Sequence, residues 1–392
     1  MKKSLLILLF TCWALFFAAF RPVMPFAAET AAFPDGTPVT GGRILMGTIG
    51  EPSNLIPYMA SDSASGEITG LLYVAPLKYD KDLNVVPWAA ASYEVLEGGR
   101  LLRFVLRDDI RWEDGVPLTA DDVEFTYKLM IDPKTPTAYS GDFLAIESFK
   151  KTGRLSFEVR YAKPFARSLM TWMGAILPKH VLEGQDIMTT PVARKPIGAG
   201  PYRLAKWDAG SMLTLTASDT YFEGRPNLDE VVYRIIPDPS TMFLELKAGK
   251  LDMMSLSPQQ YLRQTQGPQW ERDWRKYRYL SFSYTFLGFN LEHPFFKDVR
   301  VRRAISMAID RQSLIDGVLL GQGEAAYSPL QKSAYNNADI EHFTYEPKKA
   351  ERLLVEAGWS KGVDGYYEKD DERLGFTIAA MADDQVRVDM AA

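Results

Sequence analysis

The chain has 392 residues, of which 46% are apolar and 24% charged, and its formal net charge is −5. The length exceeds that of one ordinary hydrophobic core and the composition is that of a globular protein, which excludes general disorder and predicts two or three domains. The negative charge disfavours nucleic acid and anionic lipid as partners.

The first residues have the layout of a secretory signal peptide. Two lysines precede an apolar run over Leu5–Phe20, and small residues follow at Ala27 and Ala28. We predict a signal peptide over 1–28; an uncleaved membrane anchor is the alternative, because the apolar run is long. Cleavage removes three basic and no acidic residues, leaving a net charge of −8, and also removes the only cysteine, Cys12. The exported chain would then have neither a disulfide nor a thiol nucleophile.

A turn-rich leader is predicted over 29–41, and strands and helices then mix along the chain without βαβ regularity. Alternation of apolar residues places Phe157, Val159 and Tyr161 on one strand face. The same period places Tyr284, Phe286 and Asn290 together, with Phe286 predicted to lie in the core. The predicted strands are Arg43–Met46, Leu101–Arg107, Leu155–Tyr161, Leu213–Ala217, Glu230–Ile236 and Tyr284–Asn290.

Helix signals stand in four further places, besides a helical pattern at Ile68–Tyr73. Ser240 is predicted to cap a helix that ends at Gly249. Asp298 is predicted to cap another, with an apolar face at spacing three and four. Pro347 suits the first turn of a helix that ends at Gly358. The fourth signal lies in an acidic segment.

This segment, FVLRDDIRWEDGVPLTADDVEFTYKLM, carries seven carboxylates between Asp108 and Glu124. A calcium loop needs acidic or amide residues at alternating positions before its glycine, and Trp112 occupies one of them. We predict instead a turn at Gly115 and a helix capped by Thr119, with Asp122 completing the capping box. The acids are then expected to solvate the turn and to complement the helix dipole, and no metal site is predicted.

Catalytic motifs give little support for an enzyme. G-x-S-x-G and H-E-x-x-H are absent, and the three histidines are far apart. An S-x-x-K match at Ser148–Lys151 overlaps a K-T-G match at Lys151–Gly153, whereas penicillin-recognising enzymes carry them on separate elements. A loose dinucleotide fingerprint at Gly321–Ala326 follows a helix instead of a strand. We predict no enzyme and no cofactor; a two-carboxylate glycosidase stays open, because an acidic chain offers many pairs.

Six motifs then stand in order from about Gly42 to the end of the chain. They are GTIGEPSNLIP, LRDDIRWEDGVPLTADDVEFTY, IGAGPYRL, YFEGRPNLDEVVYRIIPD with LKAGKLDMM, LGFNLEHPFFKDVRVRRAISMAIDRQSLIDGVLLGQG, and YEPKKAERLLVEAGW. Together they resemble the extracellular solute-binding proteins of family 5, the dipeptide- and oligopeptide-binding type that serves ABC importers. Ala199 departs from the usual Thr of G-T-G-P-Y, and YVAPLKYD at Tyr73–Asp80 stands where the family usually has Y-E-G-L.

The resemblance implies a mixed α/β (α+β) fold, a periplasmic-binding-protein-like two-lobed clamp with an extra small domain. Domain I would comprise 42–75 and 197–289, domain II 76–196, and the start of domain III 290–392. The chain ends at DDQVRVDMAA, which the resemblance places inside the third domain. We therefore expect a truncated third domain and poor stability of this chain, since unpaired strand edges would be exposed.

The implied function is that of a periplasmic, non-enzymatic binding component. It would capture short peptides by hinge closure and deliver them to an ABC permease in the inner membrane, as a monomer without cofactor, metal or nucleic acid. Its predicted ligand-binding residues are Glu51, Ser53, Asn54, Tyr284 and Asn290. The alternatives are a nickel- or metallophore-binding member of the same family, a binding protein that feeds a receptor, and an exported hydrolase.

Overall fold

The computed structural model describes residues 38–281, 283–329, 337, 339–381 and 384–392. The predicted signal peptide and most of the predicted leader lie outside the described residues. The chain divides into two compact units, one spanning Phe33–Ser255 and the other containing Leu256–Ala392. No helix among the described residues is both long and apolar enough to cross a membrane.

The first unit mixes strands and helices, as predicted. Its strands are β1 Arg43–Thr48, β2 Leu77–Tyr79, β3 Val85–Pro87, β4 Ala90–Leu96, β5 Leu101–Leu106, β6 Ile146–Lys151, β7 Ser156–Tyr161, β8 Tyr202–Asp208, β9 Met212–Ala217 and β10 Glu230–Ile235. Its helices are α1 Ser63–Leu72, α2 Ala120–Ile131, α3 Ser140–Leu144, α4 Ser168–Thr171, α5 Lys179–Leu182 and α6 Pro239–Lys247. Short 3₁₀ turns lie at Glu97–Gly99 and Pro191–Ala193.

Two four-stranded sheets organise this unit. The first has the order β1-β10-β9-β8, with β1 parallel to β10 and the other pairs antiparallel. The second has the order β4-β5-β7-β6 and is antiparallel throughout, and β2 pairs with β3 as a separate ribbon. The predicted face of β7 is confirmed: Phe157, Val159 and Tyr161 are buried. The Phe157 ring stacks on that of Phe104 at 4.7 Å.

The acidic segment forms the predicted capped helix, but one acid is not solvated. Thr119 is the N-cap of α2 and the capping box with Asp122 is present. Asp122 is only 4% exposed; one carboxylate oxygen accepts from the Thr119 N–H at 2.8 Å and the other from the Lys179 N–H at 3.0 Å. Burial raises the pKa of Asp122, and these hydrogen bonds oppose that effect. The acid therefore joins α2 to α5, a partner that sequence spacing could not reveal.

The second unit contains shorter elements. Its helices are α7 Pro268–Asp273, α8 Pro294–Lys297, α9 Val299–Ala308, α10 Arg311–Gly317, α11 Pro347–Glu356 and α12 Gln385–Ala391, with a π-helical turn at Gln260–Gln264. Its strands β11 Ser360–Lys361, β12 Tyr367–Lys369 and β13 Glu372–Arg373 form a small antiparallel sheet. Its core is made by α9, α11 and the residues that follow: Val301, Ala304, Met307, Ala350, Leu354, Ala357 and Trp359.

The predicted helix starts at Asp298 and Pro347 are confirmed, whereas the predicted N-cap at Ser240 is wrong. Asp298 caps α9 by accepting from the Arg300 N–H at 2.8 Å, and Pro347 occupies the first turn of α11. The N-cap of α6 is Asp238, not Ser240, and it accepts from the Thr241 N–H at 2.7 Å. The helix begins earlier because Pro239 suits its first position.

The predicted strand at Tyr284–Asn290 is wrong. This segment has no regular secondary structure, and Phe286 is 72% exposed instead of lying in the core. Alternation alone does not make a strand, which also needs a neighbouring backbone to complete its hydrogen-bond ladder. Within the described part of the chain, no strand pairs with this segment.

Candidate functional site

A pocket of about 260 Å³ lies beside α1 in the first unit. Its walls come from the loop after β1, one face of α1, the extended segment after α1, and four more distant residues. The lining residues are Asn54, Ile56, Pro57, Tyr58, Ala60, Ser65, Gly66, Thr69, Gly70, Tyr73, Val74, Ala75, Trp88, Tyr139, Met173 and Ala175. Four of them are aromatic and none carries a charge.

Hydrogen bonds fix the loop after β1 onto the start of α1. The Ser65 hydroxyl accepts from the Ser53 N–H at 3.0 Å and the Asn54 N–H at 3.3 Å, and donates to Asp62 at 2.8 Å. Asp62 also caps α1 through the Ser65 N–H at 2.7 Å. Burial by itself would raise the pKa of Asp62, but hydrogen bonds from Ser53 and Ser65 hold it below its ordinary value. The loop is thereby presented to the pocket in one conformation.

Tyr58 is anchored from several sides. Its backbone has φ 72°, an uncommon conformation for a bulky residue that surrounding contacts must hold. Its hydroxyl donates to the Ala175 carbonyl at 2.9 Å, and its own carbonyl accepts from the Thr137 hydroxyl at 2.8 Å. The ring meets Tyr139 edge-on, with centroids 6.1 Å apart. These contacts join the loop after β1 to the residues just before α3 and to the segment after α4, around one side of the pocket.

Trp88 is held by a polar cluster that does not line the pocket. Its indole N–H donates to the Tyr221 hydroxyl at 2.9 Å and lies 3.2 Å from a Glu223 carboxylate oxygen. Glu223 also pairs with Lys78 at 2.8 Å, and the Lys78 ammonium lies 5.3 Å from the centre of the Trp88 ring. The indole is therefore fixed in place by its polar edge.

Two features of the walls leave capacity for a ligand. Gly66 and Gly70 stand four residues apart on one face of α1, and a Cβ added at either would meet no atom within 4 Å. Among the described residues, no group accepts a hydrogen bond from the backbone N–H of Val74 or Ala75, although both residues are buried. Buried peptide groups are normally paired, so this wall can receive the carbonyl oxygens of a bound backbone.

Close packing of the IGAGPY motif positions the end of α1. The Gly200 N–H donates to the Leu72 carbonyl at 2.8 Å. A Cβ at Gly198 would lie 2.0 Å from the Leu72 carbonyl oxygen, and one at Gly200 would lie 2.4 Å from that of Leu71. Glycine is required at both positions by this approach of two backbones, which fixes where Tyr73 and the following wall residues begin.

Glu113 lies beside this junction, and the pKa of its carboxyl group is raised. Its N–H donates to the Gly198 carbonyl at 2.9 Å. Burial, the largest cause, raises the pKa of Glu113 from 4.5 to about 7, with Asp114 adding to the effect and the Gly198 backbone and Arg203 opposing it. The Glu113 charge in turn raises the pKa of Tyr73 beyond the effect of burial.

Because the folded state holds the Glu113 proton more tightly than the unfolded state, folding stability should fall as pH rises from about 4.5 to about 7. Glu113→Gln keeps an acceptor without the charge and should be more stable at pH 7.5 by about 1–2 kcal/mol, after allowing for solvent screening. Urea unfolding of both proteins at pH 4.5 and pH 7.5 checks this. An equal difference in unfolding free energy between the two proteins at both pH values would contradict the raised pKa of Glu113.

The structure places the predicted site residues in three different locations. Asn54 lines the pocket, and Ser53 lies next to it and donates to Asp62 at 2.6 Å. Glu51 is bound elsewhere: its carboxylate accepts from the Trp207 indole N–H at 2.8 Å and the Gly210 N–H at 3.1 Å. The direct role of Glu51 toward a ligand stays a prediction.

Tyr284 and Asn290 belong to the second unit. Tyr284 is exposed and its ring centre lies 5.6 Å from that of Phe286. The Asn290 side-chain oxygen accepts from the Glu292 N–H at 3.0 Å. Their contact with a ligand also stays a prediction.

Sequence reasoning missed most of the pocket. Trp88, Tyr139 and Met173 follow no motif and lie far apart along the chain. The one signal that could have drawn attention to α1 is its pair of glycines, Gly66 and Gly70, which are unfavourable inside a helix.

Comparison with known proteins adds independent findings. The sequence model of "Bacterial extracellular solute-binding proteins, family 5 Middle" matches residues 84–392. The oligopeptide-binding protein AppA of Bacillus subtilis is 33% identical over 366 residues, covering 91% of this chain and 67% of AppA. The chain thus spans about two thirds of the length of this curated relative.

Solved structures agree with the fold. The structure of AppA from Bacillus subtilis in complex with a nonapeptide matches with a TM-score of 0.76 and 33% identity, over 90% of this chain and 71% of that one. NikZ from Campylobacter jejuni in complex with Ni(L-His) matches with a TM-score of 0.79 and 30% identity, over 89% of this chain and 70% of that one. The prediction of a mixed α/β fold of the periplasmic solute-binding type is confirmed.

Proposed function

Because the chain belongs to the bacterial extracellular solute-binding proteins of family 5, we propose that it binds short peptides in the pocket beside α1 and delivers them to an ABC permease. The observation that carries this proposal is the pair of unused, buried peptide N–H groups at Val74 and Ala75 in a pocket wall. Such groups recognise the main chain of a peptide whatever its side chains. The AppA relative is an oligopeptide-binding protein.

The pocket suits binding without chemistry. Its polar side chains hold the pocket together: Ser65 contacts Asp62, and Thr69 donates to the Gly66 carbonyl at 3.2 Å. Aromatic rings supply contact area at low entropic cost. On this proposal the chain is a transport component and not an enzyme. Closure of a hinge around the ligand, export by the signal peptide and a monomeric state remain part of this proposal.

Native mass spectrometry of the protein isolated from the periplasm tests peptide binding directly. We expect adducts whose fragmentation yields peptide sequences, and denaturation should release them. Turnover of a glycoside or ester substrate by the same preparation would support the hydrolase instead. A protein that carries no peptide and binds none from a tryptic digest would refute the proposal.

A metal chelate is the second candidate, because the NikZ structure holds Ni(L-His). The pocket lining contains no carboxylate or imidazole, so nickel would have to arrive with its ligands already bound. Calorimetric titration with nickel and L-histidine together, compared with nickel alone and with a tetrapeptide, separates the two candidates. Binding of the complex and not of the tetrapeptide would favour the chelate.

A further inference from the structure

We propose that the pocket selects for an uncharged, apolar or aromatic group of the ligand and rejects ionised ones. This inference rests on the proposed function, since it concerns which peptides enter the same pocket. The selected ligands are peptides that carry a neutral residue at the position inserted beside α1.

The lining carries the first part of the inference. All sixteen lining residues are uncharged, and Tyr58, Tyr139 and Trp88 give the walls their aromatic character. An ionised group entering such a site loses hydration and gains no opposite charge, which is costly. A neutral apolar group gains by leaving water.

Two carboxylates beside the lining, Asp62 and Glu223, are already bound to other groups of the protein. Asp62 accepts from the Ser53 hydroxyl and the Ser65 N–H. Glu223 forms a salt bridge with Lys78 and accepts a hydrogen bond from the Tyr221 hydroxyl at 2.7 Å. An incoming ammonium or carboxylate would have to break these contacts before it found a counter-charge.

The polar groups that remain at the lining suit a neutral main chain. The Asn54 side-chain oxygen accepts from the Ile56 N–H at 2.8 Å, so the amide nitrogen is the part of this side chain that can donate to a ligand. The Val74 and Ala75 N–H groups are donors without formal charge. The open space at Gly66 and Gly70 then accommodates the inserted group.

The test uses tetrapeptides that share the same termini and differ at one position, which is Phe, Leu, Asp or Lys, with that position moved through the peptide. Calorimetry should show that at the inserted position Phe or Leu binds at least about tenfold tighter than Asp or Lys. Equal affinity for all four residues at every position would overturn the inference and leave peptide binding intact. Failure of every peptide to bind would overturn both.

A charge placed in the pocket gives the sharper arm of the test. Asn54→Asp keeps an acceptor for the Ile56 N–H and adds a carboxylate to the lining, so the Lys peptide should gain at least about tenfold relative to the Phe peptide. Asn227→Asp adds the same charge at an exposed position outside the lining and should leave the ratio unchanged. The inference fails if both variants shift the ratio equally, or if Asn54→Asp shifts nothing.

Discussion

Gly198→Ala is expected to destabilise the first unit by about 3 kcal/mol or more, at the upper end of overpacking costs. The added Cβ would stand 2.0 Å from the Leu72 carbonyl oxygen and 2.9 Å from its carbonyl carbon. These are backbone atoms at the end of α1, so no side chain can rotate away to relieve the collision. Either the IGAGPY segment or the helix end must move, and the Gly200 hydrogen bond to Leu72 would be strained with it.

Urea unfolding followed by tryptophan fluorescence measures this loss. Gly141→Ala is the matched control, because a Cβ there meets no atom within 4 Å and alanine favours the helix. The control should be neutral or slightly stabilising. Similar stability of Gly198→Ala and the wild type would show that the two backbones do not approach as closely as described.

Gly70→Leu is expected to weaken peptide binding by at least about 100-fold, or roughly 2.7 kcal/mol. Gly70 lines the pocket, and a Cβ there would meet no atom within 4 Å, so a leucine side chain at this wall would compete with the ligand for space. The same change should leave folding intact or improve it, since leucine is a better helix former than glycine by somewhat under 1 kcal/mol. Loss of binding would thus be separated from loss of structure.

Calorimetry with a peptide recovered from the native protein measures the change in affinity, and thermal unfolding monitors the fold. Gly317→Leu is the control: Gly317 is also helical, as the last residue of α10, has open space around it and does not line the pocket. It should bind as the wild type does. Wild-type affinity in Gly70→Leu would place the ligand somewhere other than beside α1.

Gly198, in the IGAGPY motif, and Gly70, in the helix that this motif contacts, affect the pocket in different ways. Gly198 lets two backbones meet, which fixes where α1 ends. Gly70 leaves a space beside that same helix. A family motif can therefore influence binding without touching the ligand, by setting the position of a neighbouring wall.

Local features could be predicted from the sequence because their causes are local. The capping of α2 by Thr119 and of α9 by Asp298 depends on residues two or three positions apart. The buried face of β7 follows from alternation along one strand. Motif order was also sufficient to identify the family, which the match over residues 84–392 confirms.

Errors arose where an element depends on distant partners. The apolar alternation at Tyr284–Asn290 predicted a strand and a buried Phe286, but a strand needs an adjacent ladder. Asp122 has the expected capping role, yet it also accepts a hydrogen bond from the Lys179 N–H, 57 residues away. Spacing along the chain contains no information about either contact.

The sequence by itself determined the family, the mixed α/β class and the helix caps, because periodicity and short motifs act over a few residues. Only the tertiary structure decided the binding pocket, since Asn54, Gly70, Trp88, Tyr139 and Met173 come together through folding alone. The tertiary structure also decided which polar groups bind other parts of the protein, as Glu51 binds the Trp207 indole N–H. The N–H groups of Val74 and Ala75, in contrast, remain available to a ligand. Hydrogen-bond capacity is a property of neighbours in space, and the chain order does not reveal it.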